Sequence, residues 1–343
     1  MDHLDPDSGV GDRPGLGIAV AARTPFPMAP SMPSRDLPPG IQAALVVPFR
    51  DDHTVDEAAY RRQIEYVLRA EGITGLLING HAGENALTDD AEKERIVHLT
   101  PAAAARPVFI TSGVYAEGST AAARQAHRLE GAGADALLVF PPNAWALGAE
   151  PESVVMHHRA VHDATGVPVL LYQAPVSAGR FAYPAPVLSA LLALERIAGV
   201  KDGSWEIAAT ELVRDQVRAE RPDVVVYGSG DEHLLVSYLI GTRGSQVSLA
   251  SVIPDLICEL WAASEAQDWS RAKALHGLIQ PLANLVYRNP PASRAVARLK
   301  TCLVLLGVIG SDGVRPPLVR TDATERRQLE AALDRCGGLR RAA

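Results

Sequence analysis

The feature that most constrains this chain is an alternation that repeats eight times. Each repeat sets a short apolar run before a helix-length amphipathic stretch. The apolar runs fall at 43–48, 75–79, 108–112, 136–140, 168–172, 197–201, 224–228 and 246–249. The helical patterns that follow them occupy 55–69, 89–105, 119–132, 152–164, 184–194, 207–218, 232–240 and 254–266. Strands separated by helix-length segments imply βαβ units and a parallel sheet. Runs that are apolar throughout suit strands covered on both faces. Eight such units over this length fit a closed (β/α)8 TIM barrel. Strand order is invisible in sequence, so a doubly wound open sheet is the competing architecture. The first βα turn lacks the Gly-x-Gly-x-x-Gly fingerprint of its commonest form.

The segments flanking the repeats differ from them. Residues 1–39 are rich in Pro, Gly, Asp and Ser with little periodicity, and are expected to be a mostly disordered extension. The barrel is expected over 40–266. Three further helical patterns, at 270–287, 292–307 and 323–336, make 267–343 a helical appendage packed on it.

Composition narrows the partners. The formal net charge is −7 and no Lys/Arg-rich run occurs, which argues against a nucleic-acid surface. No apolar run approaches the ~18 residues a membrane span needs. The first residues are acidic, and the apolar stretch at 18–22 is too short for the core of a signal peptide. Three scattered cysteines, Cys258, Cys302 and Cys336, form neither a disulfide framework nor a zinc motif. A cytoplasmic enzyme of small-molecule chemistry is the expectation.

In such a barrel the active site lies at the C-terminal ends of the strands. Lys201 stands there. The chain has four lysines, and Lys93, Lys273 and Lys300 sit in helical patterns where a solvated role is expected. Lys201 instead ends the run Ile-Ala-Gly-Val. An amine pointing into a dry barrel mouth has a lowered pKa, and its neutral form can attack a ketone. The alternative is a structural ion pair with Asp202. Tyr172 ends the fifth run, on the neighbouring strand, where its phenol can pass protons to and from that amine. In the second βα loop, Asn79-Gly-His-Ala-Gly-Glu-Asn85, two glycines permit a tight turn whose backbone amides suit a carboxylate. A plain turn with a structural Glu84 is the alternative. The Gly228-Ser-Gly-Asp-Glu-His233 loop, with Gly230 and Asp231, reads as a polar loop facing substrate hydroxyls, since its acids would repel phosphate. His158 and His162 have metal-ligand spacing on the fourth helix, but no third ligand completes a set, and no metal is expected.

Together these pieces resemble the dihydrodipicolinate synthase / N-acetylneuraminate lyase family. The matching motifs, in order, are Leu45-Val-Val-Pro-Phe49, Gly80-His-Ala-Gly-Glu84, Leu171-Tyr-Gln-Ala-Pro175, Gly199-Val-Lys-Asp-Gly203, Gly228-Ser-Gly-Asp231 and the segment 244–254. The resemblance implies a TIM barrel, usually in homotetramers, so a tetramer or dimer is expected. It implies a Schiff base between Lys201 and pyruvate or another 2-oxo acid, with Tyr172 transferring protons and no cofactor needed. It also implies substrate-carboxylate binding by Gly80, His81, Ala82 and Gly83, with Val247 and Ser248 nearby.

The departures are informative. The family's two hydroxyl residues in the carboxylate loop are His81 and Ala82 here. His81 stands either as a partner for Tyr172, as an acid/base, or as a structural residue. The synthases' second tyrosine, after strand four, is matched by Asn143. Their arginine after the strand-five motif is matched by Ser177, with Arg180 out of register. Both losses argue against the lysine-pathway synthase itself and for an aldolase or dehydratase with a different second substrate. A non-catalytic binder of 2-oxo acids is the reading from another class.

Overall fold

The computed structural model describes residues 36–337. Eight parallel strands close into a barrel in sequence order. They are β1 (Gly40–Ala44), β2 (Ile73–Ile78), β3 (Phe109–Val114), β4 (Ala136–Val139), β5 (Val169–Gln173), β6 (Ile197–Asp202), β7 (Val225–Gly228) and β8 (Gly244–Val247). Eight helices wrap them: α1 (Glu57–Leu68), α2 (Asp90–Ala103), α3 (Ser119–Gly131), α4 (Pro151–Asp163), α5 (Ala185–Leu192), α6 (Ile207–Glu220), α7 (Leu234–Leu239) and α8 (Pro254–Glu265). The closed TIM barrel replaces the open-sheet alternative: β1 pairs with both β2 and β8, so no strand edge is left.

Local chemistry sets the helix starts. Asp56 accepts from the Ala59 amide at 3.0 Å to open α1. Asp89 and Glu92 form a capping box at α2, each accepting from the other's backbone at 2.8 and 3.0 Å. Pro151 and Pro254 occupy first helical positions, where a missing N–H costs nothing.

Two strands lie upstream of the runs that suggested them. β1 is Gly40–Ala44 rather than 43–48, and β8 is Gly244–Val247 rather than 246–249. The cause is polar residues at buried strand positions, Gln42 in β1 and Ser245 in β8, and Gln42 belongs to a polar layer inside the barrel. The Gln42 side-chain amide oxygen accepts from the Thr111 hydroxyl at 3.0 Å and from the Gln246 side-chain amide at 2.9 Å. All three residues are fully buried. A hydrogen-bonded amide pair can sit in a barrel core, but a polar residue such as Gln42 interrupts the apolar run that marks a buried strand.

Of the expected disordered extension, residues 1–35 lie outside the described residues. Of residues 36–39, Leu37 and Pro38 pack against the barrel. Leu37 is buried beside Gly199, and the Tyr227 hydroxyl donates to the Pro38 carbonyl at 2.6 Å. Beyond the barrel, α9 (Trp269–Tyr287), α10 (Ala295–Leu305) and α11 (Ala323–Arg335) form the C-terminal extension. α9 packs on α8, and α10 reaches the second βα loop.

Two expectations about solvated residues need correction. Lys93 is 3% exposed and Lys300 is completely buried, while Lys273 is exposed as expected. His157 and His158 are also buried, because α4 packs its histidine face against Trp145 and Tyr183.

Candidate active site

β5 and β6 pair in register with Tyr172 opposite Lys201. Paired residues of a parallel sheet point to the same face, so both side chains enter the barrel mouth together. The Lys201 amine lies 5.9 Å from the Tyr172 ring centre. Lys201 is 8% exposed and Tyr172 is 7% exposed. Burial pulls the amine from its ordinary 10.5 down to about 8, against an opposing pull from the Asp231 charge. Burial, and after it the Asp202 charge, holds the Tyr172 phenol well above its usual range. At neutral pH the site therefore offers a poorly solvated amine beside a protonated phenol.

The ion pair between Lys201 and Asp202 does not form. Successive strand residues face opposite ways, and Asp202 turns outward. Its carboxylate accepts from Ser204 at 3.0 Å and from Thr210 at 2.5 Å. The next residue of the motif, Gly203, has a steric task. A Cβ there would stand 3.0 Å from the Tyr172 phenol oxygen and 2.9 Å from the Gln173 carbonyl oxygen. Only glycine leaves room for the phenol at this point.

His81 sits over the same centre. Its ring lies 4.3 Å from Phe140 and 5.1 Å, edge-on, from Tyr172, with Phe140 and Tyr172 5.0 Å apart. The ring is open to the mouth but set deep among protein atoms. That setting, and then the Lys201 charge, shift it toward the neutral imidazole. Solvent at the mouth tempers the size of this shift but not its sign.

The loop that carries His81 is a short 3-10 turn, His81–Gly83. Its closing bonds run from the amides of Gly83 and Asn85 to the Gly80 carbonyl, at 3.0 and 3.3 Å, and from Glu84 to the His81 carbonyl at 3.1 Å. Glu84 itself takes a left-handed conformation, φ 54°, and its carboxylate is buried. The amides of Gly83, Glu84 and Asn85 are therefore used within the turn. Those of His81 and Ala82 have no hydrogen-bond partner among the described residues.

The rest of the rim is polar. Asp231 accepts from the Leu249 amide at 2.7 Å and is buried. Burial pushes its carboxyl up to about 7, partly offset by that amide. Gly230 precedes it, half-buried against Trp205 and His233. Val247 ends β8 in the core, and Ser248 is half-buried at the rim. Asn143 and Ser177 lie on two short 3-10 helices, Asn143–Leu147 and Val176–Phe181, which pack on each other. Both residues are exposed. Arg180 donates to the Leu147 carbonyl at 2.6 Å, a bond that pins the two short helices together.

Some neighbours of the site escaped sequence reasoning. Tyr287, from α9, has its phenol raised by burial and then by the Asp231 charge. Glu232 is buried in an ion pair with Arg288, whose guanidinium lies 5.4 Å over Trp205. No motif announced these contacts, because they join the extension to the barrel rim. Lys300 did carry a signal. It stands in an apolar stretch, Leu299 to Leu306, much as Lys201 does. Among the described residues no cluster of three or more His, Cys, Asp or Glu is arranged to hold a metal. His158 is bonded on both ring nitrogens, to the Val154 carbonyl at 2.8 Å and the Tyr183 hydroxyl at 2.9 Å.

A closed barrel with such an amine and phenol at its C-terminal rim is of the class of barrel enzymes that act on carbonyl compounds. The comparisons with known proteins make that class specific. Residues 37–336 match the family model described as the dihydrodipicolinate synthetase family. The 4-hydroxy-tetrahydrodipicolinate synthase of Rhodopseudomonas palustris is 30% identical over 298 residues, 87% of this chain and 96% of the relative. The 4-hydroxy-tetrahydrodipicolinate synthase 1 of Streptomyces coelicolor is 31% identical over 291 residues, 84% of this chain and 91% of the relative. Among solved structures, the Escherichia coli K12 protein YagE, crystallised in complex with pyruvate, superposes with a TM-score of 0.80 at 23% identity. That match covers 87% of this chain and 98% of YagE. The Thermotoga maritima dihydrodipicolinate synthase also gives 0.80, at 21% identity, covering 88% and 99%. The chain belongs to the dihydrodipicolinate synthetase family.

Proposed function

We propose that this chain is a lyase that forms a Schiff base between Lys201 and pyruvate or a related 2-oxo acid. The observation that carries the reading is the in-register pair of Tyr172 and Lys201, with the amine held near 8 by burial. The neutral amine adds to the C2 carbonyl, and the resulting alkoxide takes a proton to give a carbinolamine. Tyr172 transfers the protons that let hydroxide leave as water. The protonated imine then draws electrons from C3. Loss of a C3 proton gives the enamine, from which a leaving group at C4 can depart. Alternatively, cleavage of the bond between C3 and C4 gives the same enamine and releases an aldehyde. The former is a dehydration and the latter an aldol cleavage.

In this reading the 80–84 loop receives the substrate carboxylate through the His81 and Ala82 amides, with Ser248 alongside. His81 takes the place of a hydroxyl beside Tyr172 as its proton partner. Asn143 and Ser177 border the second substrate. In the synthases that this chain resembles, the arginine after the strand-five motif binds the carboxylate of an aldehyde substrate. The fixed Arg180 and the exposed Ser177 give that aldehyde's carboxylate no cation in register, so aldolase or dehydratase chemistry is preferred. Self-association into a dimer or tetramer belongs to the reading through the resemblance alone, and light scattering checks it. No helix among the described residues is long and apolar enough to cross a membrane.

Borohydride reduction in the presence of pyruvate and longer 2-oxo acids, followed by peptide mass mapping, tests the proposal. The expected adduct is on Lys201. Its absence with every 2-oxo acid tried would overturn the assignment. Tight binding of a 2-oxo acid that persists in Lys201→Ala without turnover would favour a non-catalytic binder instead.

A further inference from the structure

We propose that Lys300, on the C-terminal helix α10, is a positioning residue for the carboxylate loop, so that the helical extension is part of the substrate-binding machinery. The inference rests on the proposed role of the 80–84 loop. It concerns what holds that loop in shape.

Glu84 closes the loop in the left-handed region, which non-glycine residues visit only when their surroundings fix them there. The fixing group is its carboxylate. One oxygen pairs with the Lys300 amine, and the other accepts from the Arg315 backbone amide at 3.0 Å. Both side chains of the ion pair are fully buried. The Lys300 amine also donates to the Gly313 carbonyl at 2.8 Å. Both partners of the carboxylate thus come from the extension, more than two hundred residues further along the chain.

The supporting contacts lead back to the barrel mouth. The Lys300 amine lies 4.2 Å over the Phe49 ring, and the Arg315 guanidinium lies 4.3 Å over it. Arg315 then donates to the His53 and Leu87 carbonyls, each at 2.7 Å, and pairs with Glu92 at the start of α2. The segment that follows the loop and the first βα loop are therefore tied to one cationic brace. A buried ion pair contributes little net stability compared with apolar side chains of the same shape. Its use here is directional: with Glu84 anchored behind the loop, the Gly83 and Glu84 amides turn inward, and the His81 and Ala82 amides are left for a ligand.

The experiment uses the full chain and compares pyruvate with methyl pyruvate, which keeps the ketone but lacks the carboxylate charge. Half-saturating concentrations come from the rate of borohydride-trapped adduct at Lys201. In the parent chain pyruvate is expected to saturate at about tenfold lower concentration than the ester or better, the size of a lost charge-assisted contact. In Lys300→Met that preference is expected to collapse toward unity, with the limiting rate falling less than the affinity for pyruvate. Glu84→Gln, which keeps the side-chain shape and a hydrogen-bond acceptor for Arg315, is expected to do the same. It supplies the readout if Lys300→Met does not fold. A folded variant that keeps the parent's preference, with only a lower melting temperature, would make the pair merely structural and overturn the inference. Failure of the parent chain to form any adduct on Lys201 is a different result, and would remove the proposed function itself.

Discussion

The basicity of Lys201 makes a quantitative prediction about pH. An amine with pKa about 8 is about 1% neutral at pH 6, about 9% at pH 7 and half neutral at pH 8. A lysine at its ordinary 10.5 would be only about 0.03% neutral at pH 7, so burial raises the reactive fraction roughly 300-fold. The shapes of the two profiles differ even more usefully. For the perturbed amine, adduct formation should rise about ninefold from pH 6 to 7 and about fivefold from pH 7 to 8, and then level, gaining only about twofold from pH 8 to 10. For an ordinary lysine the same interval from 8 to 10 would bring a rise of about 75-fold. The assay is single-turnover trapping with pyruvate and cyanoborohydride, read by intact mass at saturating pyruvate. One confounding group must be removed, because burial also draws the Lys300 amine down to about 8. Saturation with pyruvate takes affinity changes out of the measurement, and repeating the profile in Lys300→Met shows whether the midpoint survives. A profile still climbing steeply above pH 9 in both proteins would refute the argument that burial tunes Lys201.

Three further outcomes follow from the same geometry. Lys201→Met should stabilise the chain at pH 7 by about 3 kcal/mol, because the folded pKa lies below the unfolded one and the buried charge opposes folding below pH 8. That gain should fade as pH rises from 8 to 10.5 and the parent folds with a neutral amine; urea midpoints at pH 7 and pH 10.5 measure it, and an equal gain at both would disprove the account. Gly203→Ala should slow trapping at Lys201 by roughly 100-fold, since its Cβ would meet the Tyr172 phenol and an immovable carbonyl. Gly118→Ala, where nothing lies within 4 Å, is the control and should match the parent in trapping rate. Tyr172→Phe should slow adduct formation by about 10²–10⁴ without moving the modified residue from Lys201, and His81→Phe, which keeps a ring beside Phe140, should slow it by a smaller factor; parent-like trapping rates in both would remove the proton-relay role.

The contrast between Lys201 and Lys300 shows how far the sequence could be read. Both lysines interrupt apolar stretches, and the same reasoning that selected one would have selected the other. Position in the repeat separated them: Lys201 ends a strand, where barrels place their chemistry, whereas Lys300 stands within a helix beyond the eighth repeat. The inference that a lysine in a helical pattern is solvated failed because a helix packed on the barrel has an inner face, and a charge there is tolerated when Glu84 faces it. Gln42 and Ser245 misled the reading in the opposite way, because they are polar yet fully buried and hid the starts of β1 and β8.

What the sequence determined by itself was everything recorded in local periodicity. Eight alternations of apolar run and amphipathic helix specify eight βα units with Tyr172 and Lys201 at the ends of successive strands, whereas the closure that makes them a barrel rests on the pairing of β1 with β8. What only the tertiary structure decided were the groups that touch across long stretches of chain. The register that sets Tyr172 against Lys201, the clearance that Gly203 leaves for the phenol, and the anchoring of Glu84 by Lys300 and Arg315 all depend on distances in space. A side chain's periodicity reports which face it occupies, but not which distant face is pressed against it.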